Sequence, residues 1–286
     1  MGLGVGALVL IWGTTFAAIR VGLETVPPFA GIAIRFAIAA AVLFAGARLL
    51  GVQWRREGNQ WGLWILNALC HFVIPYGIVY WSQQWLPSGL VALLFSTNPL
   101  FVAILAHLML AGERMGWLGW LGVAIGFAGV ATIYSEDLSA LGGSQARLAA
   151  TVFILAPLVA AIADVTIKRF WTHVHPISLA APSLAITAVV TAAVSWAVED
   201  PETIQLTARA WGTILYLALF GTALAFVLYF YLLERVPVTA LTLIAYPIPI
   251  VAMIVGAVWL DEQITPRVVT GGVLVLMGVW AALRRR

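Results

Sequence analysis

The sequence predicts an all-α polytopic membrane protein: ten transmembrane helices arranged as two inverted five-helix repeats around a central cavity. Three observations carry this expectation. The 286-residue chain is 63% hydrophobic and 9% charged, whereas a soluble domain has roughly a quarter of its residues charged. Apolar runs long enough to cross a bilayer follow one another with short links. Finally, prolines and glycines of the first half return in register in the second.

Taken in order, the apolar runs bounded by charge, proline or glycine fall at Gly2 to Val21, Phe29 to Leu50, Leu63 to Trp81, Gly89 to Leu110 and Gly116 to Tyr134. The second set falls at Leu148 to Ile167, Ile177 to Val198, Ala210 to Leu233, Thr239 to Leu260 and Val268 to Leu283. The first run has no basic stretch ahead of it and no small-residue cleavage site, so it reads as a retained span and not a signal peptide. The longest link, SEDLSALGGSQAR from Ser135 to Arg147, leaves no room for a soluble domain. The expected organisation is therefore a first repeat over 1–134, a linker over 135–147 and a second repeat over 148–286.

The repeat shows when LPSGLVALLFSTNPLF, from Leu86, is set on VPVTALTLIAYPIPIV, from Val236: Pro87 and Pro99 fall opposite Pro237 and Pro249. One residue out of that register, Glu113 aligns with Glu262, Gly122 with Gly271 and Gly129 with Gly278. Five spans per half is an odd number, so the second copy enters the membrane from the opposite face. Helix nine is the sharpest case, because Pro247 and Pro249 interrupt a run that must satisfy its own backbone hydrogen bonds in lipid. Pro99 holds the equivalent place in helix four, directly after Ser96, Thr97 and Asn98. Inverted-repeat transporters place such interrupted helices beside a cavity; the alternative is a kink that only improves packing.

Several function classes are excluded or disfavoured. The net charge of +3 comes from scattered arginines with no interleaved aromatic stripe, so nucleic acid is not an expected partner. A single cysteine, Cys70, permits neither an internal disulfide nor a cysteine metal cluster. The helix H-E-x-x-H and the elbow G-x-S-x-G are absent, which argues against an intramembrane metalloprotease or serine hydrolase. His173 and His175 could touch a metal but have no third ligand in view. No cofactor is expected. Two inverted halves also suit a carrier better than a channel, which needs a filter repeated around a pore. The glycines Gly116, Gly119, Gly122, Gly126 and Gly129 in helix five read as a close-packing face.

LIWGTTFAAIR in helix one, PPFAGIAIRFAIAA with Arg35 in helix two, and the helix-end acids of LAGER and WLDEQ resemble the EamA-type members of the drug/metabolite transporter superfamily. Within that group, IPYGIVYWSQQWLPSGLVALLFSTNPLF is similar to the YddG-type exporters of aromatic amino acids. The resemblance covers both halves. It implies ten helices with both termini cytoplasmic in a bacterial-type inner membrane, and a cavity built from helices one, three, four, six, eight and nine. It also implies a small amino-acid substrate, with the lipid bilayer as the other partner and a monomer sufficient for a central pathway. An exporter of another small amphiphile, such as a cationic drug, is the alternative.

Local chemistry nominates the residues. On helix three, at 100° per residue, Asn67, His71 and Ser82 share one side and Tyr76, Tyr80 and Gln83 another, with Pro75 able to swing both toward one space. An aromatic substrate would be held there by ring stacking and polar contacts to its head group; interfacial belting is the alternative for these aromatics. The expected substrate-binding set is His71, Tyr76, Tyr80, Ser96, Asn98, Asp164, Tyr246, Trp12 and Thr15. Pro75, Pro99, Pro247, Pro249, Glu113 and Glu262 are expected to break helices or gate. Asp164 lies one turn before Lys168, so a helix-end ion pair competes with a substrate-ammonium or proton site. Arg35 is expected to snorkel or to pair with Glu24, with carboxylate binding as the lesser reading. Glu113 and Glu262 suggest ion pairs at helix ends, and His107 a structural role.

With the N-terminus inside, the cytoplasmic links and tail collect Arg48, Arg55, Arg56, Arg114, Lys168, Arg169, Arg235 and Arg284 to Arg286, against Arg20, Arg147, Arg209 and Arg267 outside. Reporter fusions at both termini are expected to read cytoplasmic. A periplasmic signal at the C-terminus would remove both the span count and the parity argument for inversion.

Overall fold

The computed structural model describes residues 2–52, 60–135, 139–170, 175–245 and 247–283, and their regular structure is helical throughout. In chain order the helices are α1 (Gly2–Gly22), α2 (Pro28–Leu49), α3 (Gln60–Ser82), α4 (Ser88–Met109) and α5 (Trp117–Tyr134). Then come α6 (Ser139–Phe153 continued by Leu155–Phe170), α7 (Pro176–Val198), α8 (Ala208–Arg235), α9 (Val238–Leu241 and Ile248–Trp259) and α10 (Pro266–Leu283). Among the described residues, eight helices are long and apolar enough to cross a membrane, and Ile248–Trp259 and Pro266–Ala282 are shorter apolar helices.

The expected boundaries hold to within a few residues except at α6. Helix begins at Ser139, inside the stretch expected to be a linker, and passes through Gly143 in the left-handed region at φ +66°. Ser144, Gln145 and Arg147 are exposed in its first turns. Polar residues in a first helical turn read as a loop by hydropathy alone, although an interfacial turn tolerates them.

Three helix starts follow prolines and are closed by carboxylates from elsewhere in the chain. Glu199 accepts from Phe29 N (2.7 Å) and Ala30 N (2.9 Å) at the start of α2, and Glu262 accepts from Ser88 N (2.6 Å) and Gly89 N (3.0 Å) at the start of α4. Glu113 accepts from Val238 N (3.3 Å) at the start of α9. The first amides of a helix have no partner inside it and lie at the positive end of its dipole, so a carboxylate there satisfies both. This corrects the expectation for Glu262, which caps a helix where an ion pair was anticipated. The residues before these two acids, Gly112 (φ +92°) and Asp261 (φ +52°), are both in the left-handed region. Each turns the chain sharply at a helix end so that the next side chain reaches the other half.

The glycine face of α5 meets α10 backbone to backbone. A Cβ on Gly122 would lie 2.3 Å from Ala282 N and 2.6 Å from Gly278 O, and one on Gly129 would lie 2.6 Å from Gly271 O. α2 packs along α7, α1 along the second piece of α9, and the second piece of α4 along α6. His107 Nδ1 accepts from Met115 N at 2.9 Å, tying the turn between α4 and α5 as a structural residue would.

Gly122→Val and Gly278→Val should each destabilise the protein by about 1–3 kcal/mol or more, because no flexible side chain can yield to the added atoms. Gly212→Ala, where nothing lies within 4 Å of the added carbon, is the control and should be near neutral. Thermal unfolding in detergent separates them; equal losses would mean that the α5–α10 contact is not backbone to backbone.

Candidate functional site

Among the described residues α3, α4, α8 and α9 depart from regular α geometry within the bundle, and α6 is interrupted at Ile154. In α3, Pro75 cannot donate to a carbonyl one turn back, and the chain adopts a π turn over Ala68–Val73, with Ile74 N bonded to Leu69 O. In α8 a second π turn spans Leu219–Leu224, where the Thr222 hydroxyl donates to Leu217 O at 2.8 Å. α4 is split between Ser88–Phe95 and Asn98–Met109, and α9 opens through a 3-10 turn at Thr242–Ala245 before Ile248. The Ser96 and Thr97 hydroxyls donate to Leu93 O (2.6 Å) and Leu94 O (2.8 Å), covering carbonyls at the break. Pro99 and Pro249 then stand in the first turn of a new helical piece, where a missing N–H costs little.

These irregular segments surround one cavity with about 910 Å³ of space free of protein atoms, part of it open to solvent. It is lined by residues of α1, α3, α4, α6, α8 and α9, the six helices that the resemblance implied. Trp12, Thr15, His71, Pro75, Tyr76, Ser96, Asn98 and Asp164 of the expected set line it. Tyr80 does not; its hydroxyl accepts from Arg35 Nη1 at 3.1 Å, on the other side of α3. Tyr246 lies outside the described residues. Pro247 is the residue before the second piece of α9, and Pro99 is buried beside Asn98.

Asp164 is the polar centre of the site. It is 2% exposed, its Oδ1 accepts from the Tyr229 hydroxyl at 2.8 Å, and His71 Nδ1 lies 3.4 Å from the same oxygen. The expected pair with Lys168 does not form. The Lys168 ammonium is drawn to the end of α8, donating to Leu233 O (2.7 Å) and Val236 O (2.8 Å), where helix-terminal carbonyls have no partner inside the helix. Arg35 is corrected likewise: Glu24 pairs with Arg209 at 2.9 Å, while Arg35 is fully buried toward α8.

Around Asp164 the walls are aromatic. Trp12 stands 5.5 Å, centroid to centroid, from both Phe226 and Tyr229, and His71 stands 5.3 Å from Phe226. Trp12 Nε1 is buried with no hydrogen-bond partner among the described residues. Asn98 Nδ2 donates to Pro157 O at 3.0 Å. Phe226 and Tyr229, which the sequence does not nominate, also line the cavity. AFVLYFYLL places them three apart on one helical face, but its other aromatics, Phe230 and Tyr231, made that face ambiguous.

A family model for EamA-like transporters matches this chain twice, over residues 2–135 and 147–284. The chain belongs to the EamA-like transporter family. It is 27% identical to the transporter YoaV of Bacillus subtilis over 97% of this chain and 94% of that one. It is 30% identical to a probable terminal-alkyne amino-acid exporter of Streptantibioticus cattleyicolor, over 97% of this chain and 91% of that one. A solved crystal structure superposes with a TM-score of 0.74 at 20% identity, covering 98% of this chain and 95% of the other, and shares the fold. This EamA-like transporter is a multi-pass membrane protein whose described cavity draws on both matched segments.

Pro99→Ala and Pro249→Ala should insert and fold, because each proline occupies a first turn, yet lower substrate exchange several-fold by letting the helical pieces merge across the break. Exchange in proteoliposomes, normalised to reconstituted protein, tests this. Unchanged rates in both variants would return the prolines to ordinary packing.

Proposed function

We propose that this transporter exports free amino acids, aromatic ones best, from the cytoplasm by alternating access. The observation that carries the reading is the Asp164 carboxylate held at membrane depth inside an aromatic-walled cavity. A carboxylate at such depth is costly and retained where it serves a cavity or partner. It suits a substrate ammonium, while Trp12, Tyr76, Phe226 and Tyr229 offer ring faces to an aromatic side chain. The free Trp12 indole N–H supplies a donor for the carboxylate end. The amino-acid exporter among the relatives supports the same class.

Movement would come from two inverted five-helix repeats, over 1–134 and 148–286, rocking about the cavity with both termini cytoplasmic. The reading draws on paired contacts that exchange the two halves. Gly122 meets Gly278 while Gly129 meets Gly271, and Glu113 caps the start of α9 while Glu262 caps the start of α4. Such reciprocity is what a two-fold axis lying in the membrane plane produces. The Glu113 and Glu262 contacts would be remade as the repeats rock, which gives these acids a gating role. A single chain holds the whole pathway.

A second reading, export of an organic cation, is favoured by the same carboxylate and rings, since an aromatic cage also stabilises ammonium groups.

Counterflow into proteoliposomes across the amino acids is expected to be saturable and greatest for phenylalanine, tyrosine and tryptophan. Asp164→Asn should lower it at least ten-fold, the loss of a charge-assisted contact of about 1.5–3 kcal/mol, and Tyr229→Phe by less. Wild-type rates from Asp164→Asn, or flux that is ohmic and unsaturable, would defeat the reading.

A further inference from the structure

The cavity has a second buried charge behind its wall. Arg35 is 1% exposed in α2, and the partners of its guanidinium are all neutral: Nε donates to Thr222 Oγ1 at 2.7 Å, Nη1 to Tyr80 OH at 3.1 Å and Nη2 to Gly221 O at 3.3 Å. The guanidinium carbon lies 4.8 Å from the centroid of the Tyr76 ring and 5.4 Å from that of Phe36. The guanidinium keeps its charge at any working pH. Hydroxyls, a carbonyl and ring faces solvate that charge without cancelling it, in a setting where an unneutralised cation is costly.

Tyr76 touches this cation with one face and belongs to the cavity wall, so a single ring separates the guanidinium from the substrate space. The Asp164 carboxylate is at the other end of the aromatic wall: Phe226 stands 6.4 Å from Tyr76 and 6.3 Å from Tyr229, which holds Asp164. The site is thus bipolar, with an anion in the cavity and a fixed cation behind it. An organic cation entering gains attraction from Asp164 and meets repulsion from Arg35. A zwitterion turned with its ammonium toward Asp164 and its carboxylate toward Tyr76 gains from both. Discrimination of this kind needs a repulsive element as well as an attractive one, and Arg35 supplies it.

We propose that Arg35 is a specificity-determining residue, acting through Tyr76, that makes the cavity selective for zwitterionic amino acids over amines lacking the carboxylate. This rests on the amino-acid reading above and separates it from the organic-cation reading. In this arrangement the Tyr76 hydroxyl, which interacts with the Arg35 guanidinium, links the cation to the substrate carboxylate.

The test compares phenylalanine with its decarboxylated amine, phenethylamine, as counterflow substrates of the reconstituted full-length protein. Wild type is expected to favour phenylalanine at least ten-fold in kcat/KM. Arg35→Gln should bring the ratio toward one by lowering phenylalanine transport and raising that of the amine, and Arg35→Lys should keep the wild-type preference in direction. A folded Arg35→Gln that loses both substrates equally, or keeps the wild-type ratio, overturns the proposal, since a purely structural role moves both together. Tyr76→Phe keeps the ring and serves if Arg35→Gln does not fold. It should raise KM for phenylalanine at least five-fold and leave that for the amine unchanged; parallel changes overturn the proposal. Wild type that moves no amino acid overturns the substrate reading as well, whereas wild type that moves phenylalanine beside an unchanged variant ratio removes this inference alone.

Discussion

In hydrocarbon an unpaired backbone N–H or C=O costs several kcal/mol, so each departure from α geometry must be covered from nearby. The cavity of this protein follows from that constraint. Its walls include the places where α3, α4, α8 and α9 leave α geometry, and there the Ser96, Thr97 and Thr222 hydroxyls and the Arg35 guanidinium add hydrogen bonds to backbone carbonyls. The same economy governs helix starts, where Glu199, Glu262 and Glu113 close the orphaned amides of α2, α4 and α9 from distant parts of the chain. Acids that look like gates in sequence are thus first of all helix caps. Breaking such a cap means exposing helix amides.

Close packing supplies the rigid counterpart. α5 and α10 approach so tightly that no Cβ fits at Gly122 or Gly278, which gives dispersion contact where lipid removes the hydrophobic drive between helices. Neither helix contributes to the cavity wall described here. The interrupted helices α3, α4, α8 and α9 line the site together with α1 and α6, while a regular, glycine-faced pair packs away from it.

The two deeply buried charges, Asp164 and Arg35, are solved differently. Asp164 keeps a hydroxyl partner and an imidazole within reach yet remains on the cavity wall, so a substrate can complete its shell. Arg35 has each guanidinium nitrogen engaged and meets the cavity wall at the Tyr76 ring. In the proposed function one is a contact residue and the other a fixed source of field.

The sequence by itself determined the helical membrane class, the order of the apolar runs, the helix-four and helix-nine interruptions and most of the cavity residues on helices one, three, four and six. These are legible because bilayer thickness sets run length and because proline and glycine act locally on the backbone. It misread the partners of Asp164, Arg35, Lys168 and Glu262, and it placed Tyr80 at the site. Lys168 is four residues from Asp164 and Tyr80 four from Tyr76, so chain neighbours suggest those readings, whereas the partners of Asp164, Arg35, Lys168 and Glu262 are Tyr229, Thr222, Leu233 and Ser88. Helix periodicity says which side chains share a face, but the π turns at Ala68–Val73 and Leu219–Leu224 rotate those faces. Which helix then stands opposite is fixed by packing between residues more than sixty positions apart. Only the tertiary structure decides that, because a buried charge takes whichever partner the closed bundle brings within hydrogen-bond reach.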